Sequence, residues 1–353
     1  ARHGGTLVLM MSVRNCRRNA ERLVASGRDP ETPAALVRWG TRGIQQTVVG
    51  TLASIGERVE AAKLRPPAVM IVGSVVGLRD QIKWVESRPL FGKRIVTTRA
   101  FDQSQGLIAG LSQLGADVVP VPCLRIEPTH PEHLAQELAN LERYNGILVS
   151  SPNAAESLVT AVMARGDLRV LAQTSIAAIG PATTRALAAL GLRPDIEADP
   201  AHSEGMVATL EGLGRLQDRW LHVRASTGRA VLADAIAAAG GHYTVVAAYR
   251  SVRPPVPGNL LSSLLLPEAG GEGFDAVCFA SGKTARHFLT NLDELAGPGA
   301  GLKLLRDTQA KIVAIGPVTA QALDELGLTA TAIASTPSDV GLIAAVRAAL
   351  GSD

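Results

Sequence analysis

Two stretches of the chain combine glycine, proline and threonine in a way that can hold an anion. Ile176–Leu192 reads IAAIGPATTRALAALGL and Ile312–Leu328 reads IVAIGPVTAQALDELGL, with 11 of the 17 positions identical. Each reads as strand, tight turn and helix. Glycine permits a sharp strand exit. Proline suits the first helical turn, where its missing N–H costs nothing. The next two residues present backbone N–H groups, and Thr183 and Thr319 add hydroxyls. A helix N-terminus of this kind binds carboxylate or phosphate. In an open parallel sheet it lies beyond the carboxyl ends of the strands, where ligands bind. For one copy alone, a well-capped turn without a ligand is the simpler reading. Two copies facing each other across a cleft could grip a polyanion.

Other residues fall at equivalent places. Ser150 and Ser151 follow the apolar run GILV, and Ser281 follows AVCFA. A serine at a helix start is an N-cap, and capping and ligand contact use the same surface. No GxSxG elbow surrounds either serine, which excludes a nucleophilic hydrolase. Arg99 and Arg224 end strands at the same edge, where arginine can grip a carboxylate bidentately or form a surface ion pair. Tyr249, one of three tyrosines, closes the strand VVAAYRS. It is either a proton donor or a buried hinge residue.

The elements that position these residues come in two copies. YNGILVSSPNAAESLV echoes FDAVCFASGKTARHFL, and RIVTTRAFDQSQGLIAGLSQLGADVVPVP echoes WLHVRASTGRAVLADAIAAAGGHYTVVAA. In the second pair Arg99 matches Arg224, and the helix-ending Gly115 matches Gly240. The Arg unit comes first in one copy and last in the other. A discontinuous lobe, residues 92–126 and 252–353, with a second lobe at 127–251 inserted, resolves this order. RIEPTHP and RSVRPPVPG are then antiparallel connectors. Alternating strands and helices predict an α/β fold with a parallel sheet in each lobe. The front segment, residues 1–88, is a further partial α/β domain. Its strand candidates are TLVLMMSV, PAALVRWG and AVMIVGSVV, with helices at about 14–26 and 51–64. ESRPLFGKR, Glu86–Arg94, reads as a linker. The Gly-rich EAGGEG reads as a surface loop.

Composition removes other classes. The net charge is +3 and aromatics are 3%, so neither a basic stripe nor stacking platforms for nucleic acid are present. Cys16, Cys123 and Cys278 form no CxxC, and the seven histidines are scattered, so no metal site is expected. His130 and His133 belong to a solvated first helical turn. The thiols fit a reduced, cytoplasmic protein. No apolar run is long enough to span a membrane. The chain starts at Ala1 and soon enters a strand, so it is expected to be cut from something longer.

From Gly92 onward the chain resembles uroporphyrinogen-III synthase. The likeness is carried by IVTTR, ILVSSPNAAE, AAIGPATTRAL, VVAAYRS, AVCFASGKT and VAIGPVTAQAL, in that order. Residues 1 to about 90 resemble the C-terminal part of uroporphyrinogen-III C-methyltransferase. Here the pieces are GTLVLMMSV, GRDPETPAALVRWGT, QQTVVGTL, PPAVMIVGSVV and LRDQIKWVESRPLFGKR.

The first resemblance implies two flavodoxin-like lobes and a cofactor-free, cyclising hydro-lyase. Its substrate is hydroxymethylbilane, a linear tetrapyrrole with eight carboxylates. Ring D is inverted through a spiro intermediate, water is lost, and uroporphyrinogen III forms. Tyr249 matches the tyrosine implicated as proton donor. Arg99, Ser151, Thr183, Arg224, Ser281 and Thr319 are expected to hold the acidic side chains. The second resemblance implies S-adenosylmethionine contacts at Met11 and Gly40, with Ser12 where that family has glycine. The family's Gly-rich donor loop and acidic motif are missing, so this chain is expected not to methylate. Its parent is expected to be a fusion of the two enzymes. The synthase part is expected to be monomeric, with the methyltransferase part a candidate to dimerise. The competing readings are methyl transfer by the intact fusion and a non-catalytic, two-lobed anion-binding module.

Overall fold

The computed structural model describes residues 5–265 and 273–351. Most of the EAGGEG segment lies outside the described residues. The chain divides into two compact units, residues 1–124 with 254–353, and residues 125–253.

The first unit opens with a four-stranded sheet of β1 (Leu7–Leu9), β2 (Pro33–Arg38), β3 (Gln46–Thr51) and β4 (Ala68–Val72), in the order β1-β4-β2-β3. Every pairing in it is antiparallel. Alternation builds one buried face, because Ala34 lies opposite Val72 and Leu36 opposite Met70. The helices Cys16–Ala25 and Ile55–Ala61 cover that face through Cys16, Ala20, Ile55 and Val59. The fourth strand, β3, is absent from the sequence reading. It is a half-exposed edge strand whose burial does not alternate, so the period-2 signal is missing. Only Leu7–Leu9 of TLVLMMSV is strand.

The segment read as a linker is instead tied to the lobe that follows. Leu90 is fully buried and its N–H donates to the Leu114 carbonyl at 2.8 Å. The Gly92 N–H donates to the Gly43 carbonyl at 2.8 Å. A Cβ on Gly43 would lie 2.3 Å from the Gly115 oxygen. Only glycine allows this approach. Beside it Asp117 is buried and accepts from Arg42 and Arg94, each at 3.0 Å.

The first lobe begins with β5 (Arg94–Thr97) and β6 (Asp117–Pro120). The chain then enters the second unit: β7 (Arg125–Pro128), β8 (Gly146–Val149), β9 (Ser175–Ala178), β10 (Ile196–Glu197), β11 (Arg219–Ala225) and β12 (His242–Val252). It returns as β13 (Ala276–Phe279), β14 (Lys311–Ala314) and β15 (Ala332–Ile333). The first unit's second sheet has the order β15-β14-β13-β5-β6 and is wholly parallel. The second unit's sheet has the order β10-β9-β8-β11-β12-β7, parallel except for β7 on β12. That antiparallel pair sets Arg125–Glu127 of one expected connector against Arg250–Val252 of the other, with Val252 opposite Arg125.

The central strands β8 and β13 are buried along their whole length, as strands covered on both faces must be. The helix Pro152–Met163 buries Ala154, Ala155, Leu158, Val159 and Val162. The helix Gly282–Ala296 buries Thr284, Ala285, Phe288, Asn291 and Leu292, of which all but Asn291 stand 130 positions after their counterparts in the first helix. Each helix thus turns one mostly apolar stripe inward. Each fully buried leucine in it stabilises the fold by about 2 kcal/mol.

Candidate functional site

Strand register sets the site residues in rows. In the second unit Ala178 of β9, Val149 of β8 and Val223 of β11 are mutually level. Just beyond that line come Thr183, Ser151 and Arg224 on three neighbouring strand ends. In the first unit Ala314 of β14 is level with Phe279 of β13. Thr319 and Ser281 follow at the same offsets, and Arg99 follows β5. Each lobe therefore carries Thr, Ser and Arg turns side by side at the carboxyl edge of its sheet, with Tyr249 on the strand beside Arg224.

The turns differ in what they leave open. Gly180 has φ +89°, a left-handed value that favours glycine, whereas Gly316 at 176° is extended backbone that any residue adopts. Thr183 is 1% exposed. Its hydroxyl donates to the Ile179 carbonyl at 3.3 Å and its N–H to the Gly180 carbonyl at 3.1 Å. Thr319 is also buried, with its N–H on the Gly316 carbonyl at 3.1 Å. The exposed residues of these turns are Pro181 and Ala182 in one and Pro317 and Val318 in the other. The N–H groups of Ala182 and Val318 stand in the first helical turn, where the helix supplies no acceptor. A carboxylate arriving here meets those N–H groups before either threonine hydroxyl.

Both serines are N-caps. Ser151 Oγ accepts from the Ala154 N–H at 3.2 Å. Ser281 forms a capping box with Thr284, each backbone N–H donating to the other's hydroxyl oxygen at 3.2 Å. Ser151 makes a second contact that sequence reading missed: its Oγ is 2.8 Å from Tyr249 Oη. Tyr249 is 8% exposed and packs with Val149 and Leu158. A bulge in the β11–β12 pairing places Tyr249, rather than Ala248, opposite Ala225, and a bulge re-aims the side chains around it.

The two arginines have internal partners. Arg99 Nη1 is 3.1 Å from Asp339 Oδ1. Arg224 Nη1 donates to the Arg229 carbonyl at 3.0 Å, and its buried Nε has no acceptor among the described residues. Behind Arg224, the buried His222 shares a hydrogen bond with the Tyr243 hydroxyl. Burial, and then the Arg224 charge, push His222 down to about 3. Burial raises Tyr243, although Arg224 opposes it. The sequence carried a signal for part of this. The 136-residue shift between the Gly-Pro turns continues into the next helix start. There His202 accepts from the Gly205 N–H and Ser338 from the Gly341 N–H, each at 3.1 Å.

In the N-terminal module Met11 is 68% exposed, with φ +52°. Gly40 is exposed, and a Cβ on it would meet nothing closer than 3.5 Å. The two occupy the same edge of the sheet, with β4 between their strands. A cavity of about 300 Å³ on the sheet includes Val37, Ile71, Trp84 and Glu86 in its lining. Burial raises the Glu86 carboxyl, but hydrogen bonds from Arg79, Gln45 and Thr47 outweigh this and hold it low. Among the described residues no cluster of His, Cys, Asp and Glu could hold a metal ion. No described helix is long and apolar enough to cross a membrane.

Known proteins are similar to both parts of this chain. The family model described as uroporphyrinogen-III synthase HemD matches residues 105–344. The porphyrin biosynthesis protein HemD of Ruminiclostridium josui is 33% identical over 193 residues, covering 54% of this chain and 38% of that protein. An S-adenosyl-L-methionine-dependent uroporphyrinogen III methyltransferase of Methanosarcina barkeri is 46% identical over 80 residues, covering 23% of this chain and 31% of that protein. The chain thus spans between 31% and 38% of the length of these two curated relatives. A crystal structure of mutant uroporphyrinogen III synthase from the bacterium Thermus thermophilus shares the fold. Its TM-score is 0.50 at 23% identity, covering 74% of this chain and 100% of that one. Methyltransferase-like similarity at the front and two interleaved lobes behind it fit a fusion. By the extent of the family match, more than half of its length, the chain belongs to the uroporphyrinogen-III synthase family.

Proposed function

We propose that this chain converts hydroxymethylbilane to uroporphyrinogen III, with inversion of ring D and loss of water. The observation that carries the reading is the Tyr249 phenol, held 2.8 Å from Ser151 beside the Arg224 and Thr183 turns. Departure of the bilane hydroxyl needs a proton, and a phenol at a strand end can supply it. The substrate's acetate and propionate groups are the natural ligands of these turns. First-turn N–H groups and strand-end arginines both favour carboxylates. Most of the catalysis is then positioning: the bilane must be held curled so that inversion outruns direct closure. The synthase part works without a cofactor, as a monomer. The three buried cysteine side chains suit a reducing, cytoplasmic compartment.

Methyl transfer is not assigned to this chain. Met11 and Gly40 stand exposed. Beside Met11 the buried Ser12 hydroxyl is turned back onto the Leu9 and Met10 carbonyls, and two residues before Gly40 the buried Arg38 Nε has no hydrogen-bond partner among the described residues. Two exposed residues at one sheet edge do not by themselves enclose S-adenosylmethionine. The deciding experiment supplies the full chain with enzymatically generated bilane and resolves the product isomers. Uroporphyrinogen III is the expected product. Uroporphyrinogen I alone would leave a non-catalytic, anion-binding module as the better reading.

A further inference from the structure

Ser151 and Tyr249 lie 98 positions apart, yet their side-chain oxygens are 2.8 Å from each other. A serine hydroxyl has one proton and two acceptor positions. The Ala154 N–H already occupies one acceptor position at 3.2 Å. The serine proton is therefore free to point at the phenol oxygen. The reverse arrangement, with the phenol donating, would hold the one proton that the reaction needs.

The repeat makes the contact distinctive. In the other lobe the matching Ser281 is committed to the capping box with Thr284. The shift that pairs Arg99 with Arg224 pairs Leu124 with Tyr249, so no phenol stands at that position. One copy of the turn caps a helix only. The other caps a helix and touches a tyrosine.

The geometry points to Ser151 as the positioning residue for Tyr249, donating to the phenol oxygen, rather than as a carboxylate ligand. This rests on the reading of Tyr249 as proton donor. In the reacting complex the phenolic O–H bond breaks and its proton passes to the bilane hydroxyl. The C–O bond breaks with its electron pair on oxygen, and water leaves. The phenolate that remains accepts the Ser151 hydrogen bond. That bond is charge-assisted and is strengthened by the Ala154 N–H at the positive end of a 12-residue helix. Ring closure releases one proton from the pyrrole carbon that forms the new bond. That proton restores the phenol, and the cycle balances.

The test measures kcat and KM for uroporphyrinogen III formation by the full chain and its variants. Ser151→Ala is expected to lower kcat at least tenfold with KM within twofold, and Ser151→Thr to recover kcat to within threefold. Ser151→Gly keeps most of the cap's contribution and is expected to lose kcat like alanine, which separates the effect from helix stability. In a Tyr249→Phe background, Ser151→Ala is expected to change kcat less than twofold. A rise in KM with kcat retained would make Ser151 a substrate ligand and overturn the inference. So would a multiplicative loss in the Tyr249→Phe background. Tyr249→Phe activity within a few-fold of the parent is a separate outcome: it removes the acid role itself, and this inference with it.

Discussion

The Arg99 guanidinium is held 3.1 Å from the Asp339 carboxylate, at the first turn of the last helix. Both side chains are about one-third exposed, so the pair itself stabilises the fold by about 0–1 kcal/mol. A substrate carboxylate at Arg99 has to compete with Asp339. Arg99→Ala is expected to raise KM for the bilane fivefold or more, and Asp339→Asn to lower it about twofold. Neither should move the thermal midpoint by more than a few degrees. Steady-state kinetics and calorimetry check this; an unchanged KM in Arg99→Ala would leave the pair purely structural.

His222 gives the fold a pH dependence of known sign. Its folded-state value, about 3, lies below the ordinary 6.5 because burial, reinforced by Arg224, disfavours the charged ring. Above pH 6.5 neither state binds the proton. Below it the unfolded chain does and the folded chain does not, so stability falls as the pH drops towards 3. Between pH 7.5 and 5.5 the loss should be about 1–1.5 kcal/mol. Urea unfolding of the parent and of His222→Gln at both pH values tests this. The variant should show that much less pH dependence.

Gly43 should control how firmly the front module is attached. Adding a methyl group would drive it into the Gly115–Asp117 backbone at 2.3–2.4 Å. Overpacking of this kind costs about 1–3 kcal/mol. Gly43→Ala should expose residues 86–94 to limited proteolysis while kcat for the bilane stays unchanged. Resistance equal to the parent's would mean that the backbone yields without cost.

The N-terminal module should not bind the methyl donor tightly. Isothermal titration of the full chain with S-adenosylhomocysteine is expected to give no saturable heat at micromolar concentration. Saturable binding that Met11→Ala abolishes would restore a methyltransferase reading of the exposed sheet edge.

The sequence showed the two lobes because their chemistry and their folding share the same residues. The glycine, proline and serine that shape each βα turn also stand where a ligand would. Fully buried strands such as β8 left unbroken apolar runs, and the connectors kept their prolines. What stayed hidden was pairing across the chain. Nothing local announces that Ser151 reaches Tyr249 or Arg99 reaches Asp339, because those contacts follow from strand order and register. The linker reading failed for a related reason. Proline, glycine and charge are common to mobile segments and to tightly held turns, and Leu90 is buried by residues distant in sequence. In the sequence Thr183 reads as a ligand hydroxyl because it stands in an anion-binding type of turn. Helical geometry instead folds that hydroxyl back onto the Ile179 carbonyl.

The interleaved strand order also fixes a timetable for the nascent chain. β5 and β6 leave the ribosome well before β13, which must pair with β5 and starts at Ala276. At ordinary elongation rates that delay is on the order of ten to forty seconds. All of β7–β12 is contiguous and emerges in the interval, so the inserted lobe can fold while β5 waits with one edge unpaired. A destabilised β5–β6 pair would therefore first show itself as aggregation during synthesis, before any change in the properties of the finished chain.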